Sequence, residues 1–269
     1  MTWSTVKTEG IVLRVDPLRE YDRRYKMLTP EFGKIEFVGR GAQKEKAKLA
    51  AHLEPFAVVD VEIVRGRRST TVISVERQKP FRQIASNLDR RLLAQSSLTL
   101  LDRYTREDDQ DEALYGMLLD WLNFLDQDIE LGPARRAFLL SGFVMRCFKY
   151  LGYNVALNSC LACKQPIVPL AFRWHGGKGG LVCSDCVAKD REEWFAARRL
   201  PEEVIIMLRF AREAAYEDIL KVPLKHEIIS SFVQIVHDLT TYHLPGEYRT
   251  PFWTGVMADY VLEVPEESL

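Results

Sequence analysis

The sequence predicts a multi-domain α+β protein: an N-terminal OB-fold β-barrel, then an α-helical domain with an inserted four-cysteine hairpin. Three observations carry that reading. Apolar residues repeat with period two through the first eighty positions. Beyond Pro80 the repeat becomes 3.6. Four of the five cysteines fall in CLACKQPIVPLAFRWHGGKGGLVCSDC (160–186) as two tight pairs. Period two marks half-buried strands and period 3.6 marks amphipathic helices.

The barrel elements follow in order. In GIVLRV (10–15), Ile11, Leu13 and Val15 fall on one face of a strand. RYKMLT (24–29) and KIEFVG (34–39) flank PEFG, a turn with Pro30 and Gly33. VVDVEIV (58–64) alternates Val59, Val61 and Ile63 with Asp60 and Glu62. RGRR (65–68) leads into the β-branched STTVISVE (69–76). A helical turn fits KEKAKLAAHL (44–53), just before Pro55. Five short strands with one helical insert suit a barrel that removes its exposed edges by closing. An SH3-like barrel is the rival. Residues 1–82 form this unit.

The helices come next. A weak stripe through Ile84, Leu88, Leu92 and Leu101 marks 83–104. DEALYGMLLDWLNFLDQ (111–127) carries Leu114, Met117, Leu118, Trp121, Leu122 and Leu125 on one side. Pro133 opens the next helix and Gly152 caps it, with Phe143, Val144, Cys147, Phe148 and Leu151 in its stripe. Segments 201–220 and 225–244 supply two more. Residues 83–157 and 190–250 are therefore expected to pack as the two parts of one helical domain around an insert at 158–189, leaving a tail at 251–269.

The insert reads C-x2-C-x19-C-x2-C, through Cys160, Cys163, Cys183 and Cys186. Each C-x2-C turns two thiolates toward one point, and the spacer lets a hairpin return the second pair. Zinc in structural sites prefers such a closed set of four soft ligands. Redox dithiols are the alternative. The run lacks the H-x-E and P-C-x-x-C features of a zinc deaminase, and His175 reads as a hairpin surface residue. Cys147 reads as a core residue. With no phosphate loop, nucleophile elbow or H-E-x-x-H present, no enzymatic activity is expected. The start of the chain lacks a signal-peptide pattern, and no run approaches the ~20 apolar residues that cross a bilayer. A cytoplasmic protein with no membrane partner is expected.

The net charge of −1 conceals an asymmetry. Residues 1–82 hold 17 Lys and Arg against 11 Asp and Glu, and the remainder 20 against 27. A basic head on an acidic body points to a polyanion at one end. The candidates for phosphate contacts are Arg14, Arg23, Arg24, Lys34, Arg40, Lys44, Lys46, Lys48, Arg65, Arg67 and Arg68, with Arg19 and Lys26 nearby. Tyr21, Tyr25, Phe32, Phe37 and Phe56 are available for base stacking, with Phe37 and Phe56 favoured as core. A barrel that binds a protein, with incidental charge, is the competing reading.

Several motifs also occur together: EGIVL (9–13), LT-x-x-x-GK ending at Lys34, G-x-G-A from Gly39, L-x-PF at 53–56, and LGYN (151–154) leading into the cysteines. In this order they resemble the bacterial recombination mediator family RecO, from about Thr8 to about His243. The resemblance implies an OB-fold domain and a helical domain carrying a zinc-ribbon-like insert with structural Zn2+. It implies a DNA repair protein that binds single- and double-stranded DNA and anneals complementary strands. With RecR, such proteins help RecA replace single-strand-binding protein on DNA, which implies a nucleoid-associated location. The family's basic motif positions fall on Lys34 and Arg40. YDRRYKM (21–27) departs from the family pattern by carrying Arg24-Tyr25-Lys26 where apolar residues are common, and the tail YHLPGEYRTPFW (242–253) lacks its usual Leu-Gly and Lys-Ser residues.

Overall fold

The computed structural model describes residues 4–44, 52–67, 69–168, 171–243 and Val256. The chain divides into two compact units, Met1–Ile129 and Glu130–Leu269. Each is α+β.

The first unit begins with β1 (Ser4–Pro17), β2 (Arg23–Thr29), β3 (Gly33–Gly39), β4 (Ala57–Arg65) and β5 (Thr70–Pro80). They close into a barrel in the order β1-β2-β3-β5-β4, all antiparallel except β3 against β5. That order is the OB arrangement. The SH3-like alternative falls away. β1 is long because it serves two neighbours: Ser4–Ile11 pairs with β4, and Ile11–Pro17 pairs with β2. A bulge between Val12 and Arg14 breaks the alternation expected for GIVLRV. Val12 and Val15 therefore face the barrel core, while Ile11 and Leu13 are buried elsewhere on a strand that also packs against helix. Val59, Val61 and Ile63 fill the interior as their period two requires, with Met27, Ile35 and the stacked pair Tyr25–Phe37 (centroids 5.6 Å apart). The helical turn expected at 44–53 lies almost wholly outside the described residues.

After Pro80 come α1 (Arg82–Ser86), α2 (Leu88–Tyr104) and α3 (Glu112–Leu125). The single helix expected over 83–104 is broken at Asn87, whose side chain accepts from the Arg90 N–H as an N-cap of α2. α2 packs on β1 and α3 on β2, so these helices go with the barrel. An amphipathic stripe specifies that a helix is covered, and not by what. That is why periodicity alone placed them in one helical domain with later segments.

The second unit holds α4 (Pro133–Tyr150), α5 (Ser184–Lys189), α6 (Glu202–Glu213), α7 (Tyr216–Lys221) and α8 (His226–His243). α4 is the central helix, packed against α6, α7 and α8, with Phe138 meeting Phe232 edge-on at 5.0 Å. Segment 201–220 splits into α6 and α7 at Ala214–Ala215, where the backbone turns extended. Between α4 and α6 lies the cysteine insert, a two-stranded hairpin of β6 (Phe172–His175) and β7 (Gly180–Cys183). Among the described residues no helix is long and apolar enough to cross a membrane.

One turn shows how the first unit is locked. Gly33 has φ +64, and a Cβ there would collide with the Asp109 carbonyl. The segment after α2 runs directly over β3, with the Asp108 N–H donating to the Lys34 carbonyl at 3.0 Å. Gly33→Ala is expected to destabilise the protein by about 1–3 kcal/mol through backbone strain and this clash, read as a lower urea midpoint.

Candidate nucleic-acid interface and metal centre

Strand register puts several of the predicted cations on one outer face of the barrel. Arg14 stands opposite Lys26, Lys26 opposite Glu36, Leu28 opposite Lys34, and Arg24 opposite Val38. Directly paired residues share a face, so Arg14, Arg24, Lys26 and Lys34 form a basic patch across β1, β2 and β3. Part of this patch is consumed internally. Asp102, on the last turn of α2, has a side chain only 5% exposed. Its carboxylate lies 3.6 Å from an Arg14 guanidinium nitrogen, 3.4 Å from Lys26 Nζ and 3.7 Å from Lys34 Nζ. Lys34 Nζ also donates to the Asp102 carbonyl at 2.6 Å. Burial pushes the Lys34 ammonium below its ordinary range, and Asp102 partly restores it.

Lys34 is thus placed where a phosphate does not reach: the residue is 6% exposed. The sequence motif marked a basic position correctly but could not show its partner, which lies 68 residues away. The remaining candidates divide by what they touch. Arg23 pairs with Glu54 at 3.2 Å, Arg24 with Glu36 at 3.4 Å, and Arg65 with Asp108 at 3.7 Å while lying over the Phe32 ring. Such surface pairs contribute about 0–1 kcal/mol each, so a phosphate can exchange into them. Lys44 Nζ lies 5.5 Å from the Tyr21 ring centroid. Arg40 and Arg67 are exposed and carry no ion pair among the described residues. Lys46, Lys48 and Arg68 lie outside the described residues. Of the aromatic candidates, Tyr25 and Phe37 are core, Phe32 and Phe56 are half-buried, and Tyr21 is 49% exposed.

The four cysteines of the insert converge. The ligand atoms of Cys160, Cys163, Cys183 and Cys186 all lie within 4.8 Å of one another, and Cys163 Sγ to Cys183 Sγ is 3.9 Å. Thiolates about 2.3 Å from a tetrahedral zinc would sit about 3.8 Å apart, so the set fits such an ion. The first pair rides on a tight turn in which the Cys160 N–H donates to the Gln165 carbonyl and the Lys164 N–H to the Cys160 carbonyl. The second pair sits where β7 enters α5. Gly180 is required between them, because a Cβ would press on Ala156 Cβ at 2.7 Å. Burial opposes ionisation of Cys160, but N–H groups of Cys183, Cys163 and Ala162 outweigh it and hold that thiol at about 6. Cys186 is pushed up to about 12 by its hydrogen bond to Cys183, with the other thiols adding to it. Without a cation the cluster resists becoming four thiolates. A divalent ion removes that conflict.

His175 takes no part in the cluster. It is 8% exposed, packs edge-on to Trp194, and its Nδ1 accepts from the Lys178 N–H. The surface placement expected for it is corrected by that cap, which closes the turn between β6 and β7. Cys147 is buried within α4, and burial raises its thiol well above the usual range.

Comparison with known proteins extends this geometry. Residues 1–81 match the family model "Recombination protein O N terminal", and residues 85–251 match "Recombination protein O C terminal". The chain belongs to the RecO family. A curated RecO relative, the "DNA repair protein RecO" of Dehalococcoides mccartyi strain 195, is 25% identical over 92% of this chain and 94% of its own length. The protein of the same name from Alkaliphilus metalliredigens is 31% identical over 67% of this chain and 72% of its own. That of Caldanaerobacter subterraneus subsp. tengcongensis is 25% identical over 94% and 99%. The RecO family boundary falls at the end of β5, whereas the packing boundary falls after Ile129. The first helices of the C-terminal RecO segment therefore serve as the outer layer of the barrel.

Two outcomes test this geometry. Asp102→Ala leaves Lys34 buried without its carboxylate, and is expected to cost about 3–5 kcal/mol in urea unfolding. The double variant Lys34→Met with Asp102→Leu should recover part of that loss. Cys160→Ser is expected to abolish stoichiometric metal retention, measured by elemental analysis, and to lower the thermal midpoint of the second unit.

Proposed function

We propose that this protein is a non-enzymatic recombination mediator in DNA repair. It binds single- and double-stranded DNA through the barrel and anneals complementary strands. With RecR it helps load RecA onto DNA coated by single-strand-binding protein. The reading places it in the cytoplasm, associated with the nucleoid. The four cysteines hold Zn2+, which stabilises the fold and takes no chemical part. The observation that carries the reading is membership of the RecO family over both segments of the chain. The exposed cations at the barrel loops support it: Arg40 and Lys44 after β3, Arg65 at the end of β4, and Arg67 between β4 and β5. Phosphate contacts of this kind give affinity with little sequence preference and strong salt dependence.

A second reading, a zinc-stabilised scaffold whose barrel binds a protein, is favoured by one observation. Several barrel cations already have acidic partners, so the net positive field is smaller than the count of residues implies. Charge reversal separates the two. Arg40→Glu with Arg67→Glu is expected to weaken binding of an oligonucleotide by at least about tenfold at low salt, read by fluorescence anisotropy. Wild-type protein that binds no DNA at low salt, or whose affinity ignores salt, would leave the scaffold reading standing.

A further inference from the structure

The loop between β1 and β2 presents Tyr21 on a fixed support. The Leu18 N–H donates to the Asp22 carbonyl at 3.0 Å, and Asp22 Oδ1 accepts from the Gly41 N–H at 2.8 Å. Gln43 binds the loop from the other side: its N–H donates to the Tyr21 carbonyl at 2.9 Å, and its Nε2 to the Asp22 carbonyl at 3.0 Å. Gln43 also lines a cleft of about 420 Å³ that opens between β1, the residues before β4, and α2. One wall is apolar, from Val15, Pro17 and Pro55, and Arg14 and Arg23 stand in its lining. Among the described residues, those two guanidiniums are the cations in its lining. Glu54, also in the lining, pairs with Arg23 in an exposed ion pair that solvent already weakens.

From this arrangement we infer that Tyr21 and the adjoining cleft form a subsite for one unstacked nucleotide of a single DNA strand. The inference deepens the DNA-binding reading above and rests on it. Tyr21 is 49% exposed, and with Lys44 Nζ over one face of the ring at 5.5 Å the opposite face is the one offered for stacking, the ammonium being placed to meet a flanking phosphate. The volume lies within the range of small-ligand sites, on the order of 300–1,000 Å³. A base turned into it meets Val15, Pro17 and Pro55, and its phosphate lies against Arg14 or Arg23. A base inside a duplex has both faces covered and cannot enter without being unstacked. The subsite therefore favours single strands. Because the loop is held by these hydrogen bonds before DNA arrives, little conformational freedom is lost on binding.

The test compares a fluorescent single-stranded oligonucleotide with a duplex of equal length on the full chain. Tyr21→Ala removes the stacking face, and Gln95→Trp, on an exposed α2 position lining the cleft, fills it. Each is expected to weaken single-strand binding about tenfold and to leave duplex binding within about twofold, while Tyr21→Phe stays near wild type. Equal losses on both DNAs, or an unchanged single-strand affinity in either variant, would overturn the subsite while the general DNA-binding reading survived. Wild-type protein that bound neither DNA would end both.

Discussion

The first unit depends on a buried carboxylate meeting three cations from three strands. Asp102 comes from the end of α2, whereas Arg14, Lys26 and Lys34 come from β1, β2 and β3. An isolated charge at the depth of Asp102 and Lys34 is strongly unfavourable, so neither of these two is stable without the other, while the more exposed Arg14 and Lys26 add to the pair. The contact fixes α2 against the barrel and leads the chain over Gly33. It also divides the basic residues into two populations. One is internal and structural, centred on Lys34. The other faces solvent: Arg40, Lys44 and Arg67 from the loops, and Arg65 from the end of β4. Lys34 is closed to a phosphate chain, whereas the second population and the half-exposed Arg14 are open to one.

The second unit is organised around a different constraint. Its insert has a small apolar core, Cys160, Val182, Val187, Trp194 and Ala197, too little to hold a hairpin and a turn by burial alone. Four converging thiols supply the missing constraint once a cation joins them. The insert is also tied to its surroundings. Arg209 on α6 donates to the Leu157 carbonyl at 3.1 Å from Nε, and the His243 ring nitrogen lies 3.1 Å from the Gly176 carbonyl. The donor set, four thiols, suits a closed structural metal site, and the neighbouring His175 is occupied in a turn.

Much of this architecture was legible because it rests on local rules. Alternation located β2, β3 and β4 to within a residue, and Pro133 marked the start of α4. The spacing of two C-x2-C pairs located the cluster. Local rules failed where a distant residue decides. The bulge at Val12–Arg14 changed which β1 residues face inward. Asn87 and Ala214–Ala215 divided helices whose stripes read as continuous. The burial of Lys34 depends on Asp102, one acidic residue among many on α2 and its surroundings, with no local signal to single it out. His175 reads as a surface residue from its place in a hairpin, yet the fold packs it against Trp194.

On the proposed function, the loop cations Arg40, Lys44 and Arg67 would meet the phosphates of DNA, whereas Lys34 holds the fold. The most direct measurement of that division is the slope of log affinity against log salt for single-stranded DNA, which counts phosphates neutralised. Lys34→Met, which removes a strand cation, is predicted to leave the slope of the folded protein unchanged, whereas Arg40→Ala lowers it by about 0.7, one contact's worth on a single strand. A slope that fell with Lys34→Met and held with Arg40→Ala would contradict the account.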